Sequence, residues 1–288
     1  MTRRKFIGVT AKGVAGSLLA GGFYSAIEAK CIATTRISIP VPNLPPVFHG
    51  KTIAFLSDIH HSFVVPRSYI EHVVRVTNAL SPDIIILGGD YVTSEGKYEW
   101  IHAQKYVAPC FQALARLEAK MGRFAVTGNH DTGVGLPKIH AAMKTAGIQN
   151  IDNSGVWLEC NGQKLRICGV ADLRTSIPNP HLALANATNK DATILVSHNP
   201  DVAERVIHDD RVGLMLSGHT HGGQVVLPFI GAPFVNYCSD YGQKYRYGVV
   251  RGPKCNVFVT SGVGTLPPAF RFNCPPEVAL ITLISPAA

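Results

Sequence analysis

Five short polar motifs punctuate this chain, and each closes an apolar run: Asp58-Ile59-His60, Gly89-Asp90, Gly128-Asn129-His130-Asp131, Ser197-His198 and Gly218-His219-Thr220-His221. The runs before them, at residues 52–57, 84–87, 124–127, 193–197 and 214–217, are short, uncharged and largely aliphatic, the pattern of strands buried on both faces. A chain built this way sets carboxylates and imidazoles just beyond the carboxyl ends of buried strands. Open α/β sheets assemble their ligand sites there.

The first half alternates strand and helix. Ser68-Tyr69-Ile70-Glu71 reads as a capping box opening an amphipathic helix to about Leu80. Residues 109–120 read as a second helix with Pro109 in its first turn, and residues 136–146 as a third. Residues 148–170 alternate as short strands around an Asn161-Gly162 hairpin turn, and a short helix follows Pro200. Beyond Gly222, strands are expected at 224–227, 245–250, 256–260 and 278–284. This order predicts an α/β (α+β) fold, with two mixed β-sheets packed face to face and flanking helices in one domain. With 46% hydrophobic and 16% charged residues, the 288-residue chain can fill such a core.

That domain is expected over 51–288, behind an extended, proline-rich lead-in at 30–50 with room for an edge strand. Residues 1–29 read separately. Thr2-Arg3-Arg4-Lys5-Phe6-Ile7 closely resembles the twin-arginine export consensus, and the uncharged stretch 13–27 that follows is shorter than the ~20 residues of a membrane span. A twin-arginine signal peptide or anchor is therefore expected, with the export machinery as a partner and the periplasm or the outer face of the inner membrane as destination. The net charge is +8, but Arg3, Arg4, Lys5 and Lys12 stand in this segment against Glu28 alone. No dense basic tract or aromatic-studded basic stripe appears, so no nucleic acid is expected. A mild attraction to an anionic membrane surface or a phosphate substrate is. The seven cysteines include no CxxC pair and suggest no cysteine metal site.

The motif residues suit two cations. Asp90, at a strand tip behind Gly88-Gly89, is the natural bridging carboxylate. Asp58 and His60 are two apart, so in an extended strand they face one side and can ligate one ion. His219 and His221 share that spacing, Asn129 offers an amide oxygen and His198 a further imidazole. Mixed nitrogen and oxygen ligation fits Mn²⁺, Fe or Zn²⁺ better than Ca²⁺.

Taken together, these motifs resemble the calcineurin-like metallophosphoesterase superfamily, over residues 52–221 and on through Gly222-Gly-Gln-Val-Val-Leu-Pro-Phe-Ile230. Arg271-Phe-Asn-Cys-Pro-Pro-Glu277 looks like its bacterial branch with twin-arginine signals or membrane anchors. The resemblance implies a four-layer sandwich and a metal-dependent phosphoester hydrolase, most simply a phosphodiesterase. Asp58, His60, Asp90 and His221 would hold one divalent metal, and Asp90, Asn129, His198 and His219 the other, with Mn first among the candidates. A metal-bridging hydroxide would be the nucleophile. His130 would touch the phosphoryl oxygen or protonate the leaving group, with Asp131 orienting its ring. His61, beside a ligand, and Arg67 and Arg271, as phosphate clamps, are candidate substrate contacts. Two other readings stay open. One is a pyrophosphate hydrolase acting on a nucleotide-sugar lipid, similar to the UDP-2,3-diacylglucosamine hydrolases, with Phe229-Ile230 and residues 267–270 lining a lipid groove. The other is a metal-binding scaffold without turnover.

Overall fold

The computed structural model describes residues 21–94, 99–207 and 209–286, so the Arg3-Arg4 motif lies outside the described residues. In chain order the first strands are β1 (Ala33–Pro40), β2 (Thr52–Leu56), β3 (Ile84–Leu87), β4 (Arg123–Ala125) and β5 (Gln149–Asn150). Then come β6 (Ser154–Cys160), β7 (Gln163–Gly169), β8 (Ala192–Val196), β9 (Leu214–Ser217), β10 (Gly248–Arg251), β11 (Asn256–Val259) and β12 (Glu277–Ile284). The α-helices are α1 (Arg67–Ala79), α2 (Glu99–Leu114), α3 (Asn129–Val134), α4 (Leu136–Thr145), α5 (Pro180–Leu184) and α6 (Val202–Arg205).

Two six-stranded mixed sheets result, ordered β1-β12-β2-β3-β4-β5 and β10-β11-β9-β8-β7-β6. The motif-bearing strands β2, β3 and β4 lie parallel in the first, and β8 and β9 parallel in the second. Each apolar run is buried on both faces, which is why it lacks polar alternation. In β2, Ile53 and Phe55 enter the layer between the sheets, where Phe55 meets Phe258 edge-on, while Ala54 and Leu56 pack under the helices. A third apolar cluster joins Leu195 and Met215 to Ala183 and Leu184 of α5 and to Val202 of α6. Helix, sheet, sheet and helix make four layers, the expected fold class.

Several local expectations give way. No side-chain hydrogen bond caps α1; Pro66 precedes it, and Ser68 lies inside the helix. Helix α2 begins at Glu99 and carries Pro109 in its interior. Burial of Ala103, Val107, Cys110, Phe111 and Leu114 holds that helix through a break that alone costs about 3 kcal/mol. Residues 224–227 form no strand but a bend with isolated bridges from Val225 to Phe272 and from Leu227 to Gly231. The Asn161-Gly162 turn does join β6 to β7, both residues taking the left-handed backbone the sequence demanded.

The lead-in supplies a full edge strand, β1, parallel to β12 from Ala33↔Glu277 to Pro40↔Ile284. Before it, residues 21–28 are helical and pack on the loop at 271–274. Glu28 is buried, and its carboxylate accepts the N–H groups of Asn273 at 3.0 Å and Cys274 at 2.6 Å. The Arg271 N–H donates to the Ser25 carbonyl at 3.1 Å. Among the described residues no helix is long and apolar enough to cross a membrane. All seven cysteines are unpaired.

Candidate metal centre

The parallel strands deliver their motifs to one edge of the sandwich. There the backbone turns sharply: Asp58, His60, Asp90, His219 and His221 all have φ between 50° and 69°, the left-handed region that side chains other than glycine seldom enter. Hydrogen bonds between the motifs hold these turns. The N–H of Asp58 donates to Gly89 O, that of His60 to Asp90 O and that of Gly218 to His198 O, each at 3.0 Å. Gly128 makes room for the central carboxylate, since a Cβ there would lie 2.2 Å from Asp90 Oδ1.

The buried side chains converge in two overlapping groups. In the first, His60 Nε2 lies 3.1 Å from His221 Nε2, and His221 Nε2 lies 3.5 Å from Asp58 Oδ1. In the second, His198 Nε2 lies 3.1 Å from both Asp90 Oδ2 and His219 Nδ1. Asp90 also reaches the first group, with Oδ2 at 3.5 Å from His60 Nε2. Asp58, His60 and His221 form one cluster of converging ligand atoms and Asp90, His198 and His219 another, while His60, Asp90 and His130 converge between them. Asn129 Oδ1 is buried with no hydrogen-bond partner. His198 Nδ1 faces the Gly88 carbonyl at 2.8 Å, which places its proton there and leaves Nε2 free as a ligand. These donors fit divalent cations, and Asp90 lies within 3.5 Å of imidazoles from both groups.

Electrostatics point the same way. Burial drives His60, His219 and His221 well below the usual imidazole range, leaving them neutral and able to ligate. Burial also pushes Asp58 up to about 6, with the Asp90 charge adding to the effect against His198. At His198, burial alone would lower the pKa, but the Asp90 carboxylate raises it to about 10. A cation bound at His198 Nε2 would take the place of the second proton that these carboxylates favour there.

Asp58, His60, Asp90, His198, His219 and His221 converge here, Asn129 opens the helix beside them, and His130 joins with Nε2 4.0 Å from Asp90 Oδ2. Asp131 differs from expectation. Its Oδ2 accepts the N–H groups of Asp90 at 2.8 Å and Gly128 at 2.9 Å, and its Oδ1 that of Tyr91 at 2.9 Å. It therefore fixes the backbone under Asp90, while Ser94 holds the His130 ring through its backbone N–H at 3.1 Å from Nδ1. Ser94 Oγ also donates to the His130 carbonyl at 2.7 Å. Thr93 Oγ1 stands 3.3 Å from His60 Nδ1. Both residues escaped the sequence reading, which offered only their place a few positions beyond Asp90.

The three expected substrate contacts are not brought to the centre. His61 is buried, with Nδ1 2.8 Å from the Val65 carbonyl and its ring edge-on to Tyr106. Arg67 pairs with Glu71 and Gln112 on the outside of α1. Arg271 is fully buried, and its guanidinium donates to the carbonyls of Ser261 at 2.7 Å, Cys274 at 3.0 Å and Gly264. It organises the loop beside His221 and has no reach to a substrate.

Residues 51–223 match the model of the calcineurin-like phosphoesterase family, a span holding all seven of the expected ligands. The chain is 32% identical to the uncharacterised metallophosphoesterase YkuE of Bacillus subtilis (strain 168), over 99% of this chain and 98% of that one. It is 31% identical to the phosphodiesterase YaeI of Escherichia coli (strain K12), over 99% of this chain and 100% of that one. The edge of parallel strands, the shared carboxylate and the family match agree: the chain belongs to the calcineurin-like phosphoesterases and is a metal-dependent phosphoester hydrolase.

Proposed function

We propose that the protein is a two-metal phosphodiesterase, working with Mn²⁺ outside the cytoplasm. The observation that carries the reading is Asp90, whose carboxylate lies within 3.5 Å of imidazoles from both ligand groups. Asp58, His60, Asp90 and His221 would hold one cation, and Asp90, Asn129, His198 and His219 the other. Two divalent cations in such a site neutralise phosphoryl oxygens and lower the pKa of an attacking water. The protein's own part is placement and proton supply. Asp131 fixes Asp90 and its neighbours by three N–H groups. His130 is held through Nδ1, 3.1 Å from the Ser94 N–H and 3.0 Å from the Ser94 carbonyl, with Nε2 facing the cluster, and a proton on Nε2 would pass to the departing ester oxygen. The name of the relative YaeI, a phosphodiesterase, supports the diester assignment. Residues 2–7 support export by the twin-arginine route, with signal or anchor still attached to that reading.

The test is hydrolysis of bis(p-nitrophenyl) phosphate against p-nitrophenyl phosphate by the Mn²⁺-reconstituted chain. A higher kcat/KM for the diester is expected. A preference for the monoester would replace the diesterase reading with a phosphatase, and no turnover of either with two metals bound would favour the scaffold.

A further inference from the structure

One wall of the centre is apolar. A groove of about 370 Å³ opens directly from Thr220 and His221 and runs between Phe234 and Tyr237 on one side and Leu266 and Phe270 on the other. Phe229 and Ile230, in the preceding turn, stand in solvent, as do Phe234 and Tyr237. A contiguous apolar surface of this kind on a folded protein marks a binding site.

Gln224 and Thr220, polar side chains of the groove, are already engaged. Gln224 Nε2 donates to the Leu266 carbonyl at 3.2 Å, and its Oε1 accepts the Leu266 N–H at 3.0 Å. Thr220 Oγ1 donates to the Arg246 carbonyl at 2.9 Å. A nucleobase needs partners for its ring nitrogens and carbonyls, whereas Val225, Leu266, Pro267, Pro268 and Phe270 line the groove with apolar side chains and leave the exposed Tyr237 hydroxyl at its rim. A hydrocarbon chain needs no such partners.

A cation stands at the rim. The Arg174 guanidinium donates to the Tyr237 carbonyl at 2.7 Å. Its loop is tied to the centre, since Thr175 Oγ1 lies 2.9 Å from Thr132 Oγ1 on α3, the helix of Asn129 and His130. The amino-terminal segment joins the same wall. The ring of Tyr24 packs edge-on against Phe272, and the Phe272 N–H donates to the Gln224 carbonyl at 3.0 Å.

We propose that the groove takes the hydrocarbon chain of a lipid phosphodiester whose phosphoryl group occupies the metal centre, with Arg174 facing the headgroup's remaining negative charge. This rests on the phosphodiesterase reading above. The groove gives a chain that leaves the phosphoryl group an apolar bed, and Phe229 and Ile230 meet the lipid surface from which it is drawn.

The experiment is a series of p-nitrophenyl alkyl phosphates, from methyl to decyl, used below their micelle concentrations with the Mn²⁺-loaded full chain. The expected result is a kcat/KM that climbs with chain length, by up to about fourfold per methylene until the groove is filled. In Phe234→Ser and Tyr237→Ser, both exposed positions that leave the core intact, the ratio of decyl to methyl ester falls towards one. A flat series overturns the proposal while leaving the diesterase reading intact. A climbing series that neither substitution alters moves the chain out of this groove and also overturns it. Faster turnover of thymidine 5′-(p-nitrophenyl phosphate) than of the decyl ester assigns the groove to a nucleobase. Failure of every ester, the methyl one included, sinks the diesterase reading itself.

Discussion

Two residues beside each other in space separate metal binding from proton transfer. Asp90 stands within reach of imidazoles from both groups, whereas His130 converges with His60 and Asp90 at a longer 4.0 Å from the carboxylate. Asp90→Asn is therefore expected to lose both bound metal and hydrolysis. His130→Ala is expected to keep two metals per chain, by elemental analysis, while kcat falls by about 10²–10⁴. A His130→Ala enzyme as fast as its parent would remove this residue from the proton path. The ligands were legible in the sequence because each ends an apolar run, and strand direction alone brings such ends together. The work of Asp131 was not. Its three N–H partners come from positions 90, 91 and 128, and only the left-handed turns at Asp90 and Gly89 aim them at one carboxylate. Arg67 and Arg271 looked like phosphate clamps by charge alone. The first falls on the outer face of a helix that starts at its own position, and the second is enclosed by carbonyls, contacts that one-dimensional spacing cannot reveal.

At the scale of elements, the register of β2 against β3 is pinned at the end far from the chemistry. Asp83 Oδ2 accepts the Thr52 N–H at 2.9 Å and its hydroxyl at 3.1 Å, and Oδ1 accepts Lys51 Nζ at 3.2 Å. Partial burial works against ionisation, but these hydrogen bonds and the Lys51 charge outweigh it and hold Asp83 below its ordinary value. A carboxylate depressed in the folded state adds stability above its unfolded pKa of about 3.9, and that stability is lost as the pH falls through the folded value. Asp83→Asn should therefore cost about 1–2 kcal/mol at pH 7 in urea titrations, with the difference from the parent closing below about pH 4. A difference that stays constant down to pH 3 would assign the cost to geometry instead of charge. The apolar runs announced β2, β3, β8 and β9 clearly because burial on both faces leaves an unmistakable composition. Helix α2 was misread because Pro109 is a strong local signal, and what overrides it is the distant sheet that Val107 and Phe111 pack against. Residues 224–227 carry strand composition, yet they lie at the site edge, where a bend and a groove take the place of a ladder.

For the whole molecule, the metal centre ties the two sheets together at one edge, with Asp58, His60, Asp90 and Asn129 following strands of the first and His198, His219 and His221 strands of the second. Metal removal should loosen that edge. With cations held at about a hundred times their Kd, each site adds about 2.7 kcal/mol, so stripping with EDTA is expected to lower Tm by roughly 5–15 °C, and Mn²⁺ should restore it in calorimetry. An unchanged Tm would mean that the described donors hold no cation. The layered architecture was legible from the alternation of strands and helices, but the course of the amino-terminal segment was not, because composition cannot show what a short helix leans on. Glu28 braces the loop of Asn273 and Cys274, and Arg271 in that same loop steadies the carbonyls beside His221. Loss of the Glu28 side chain would cut this joint, so a single carboxylate near the chain's front end governs the firmness of the wall beside His221.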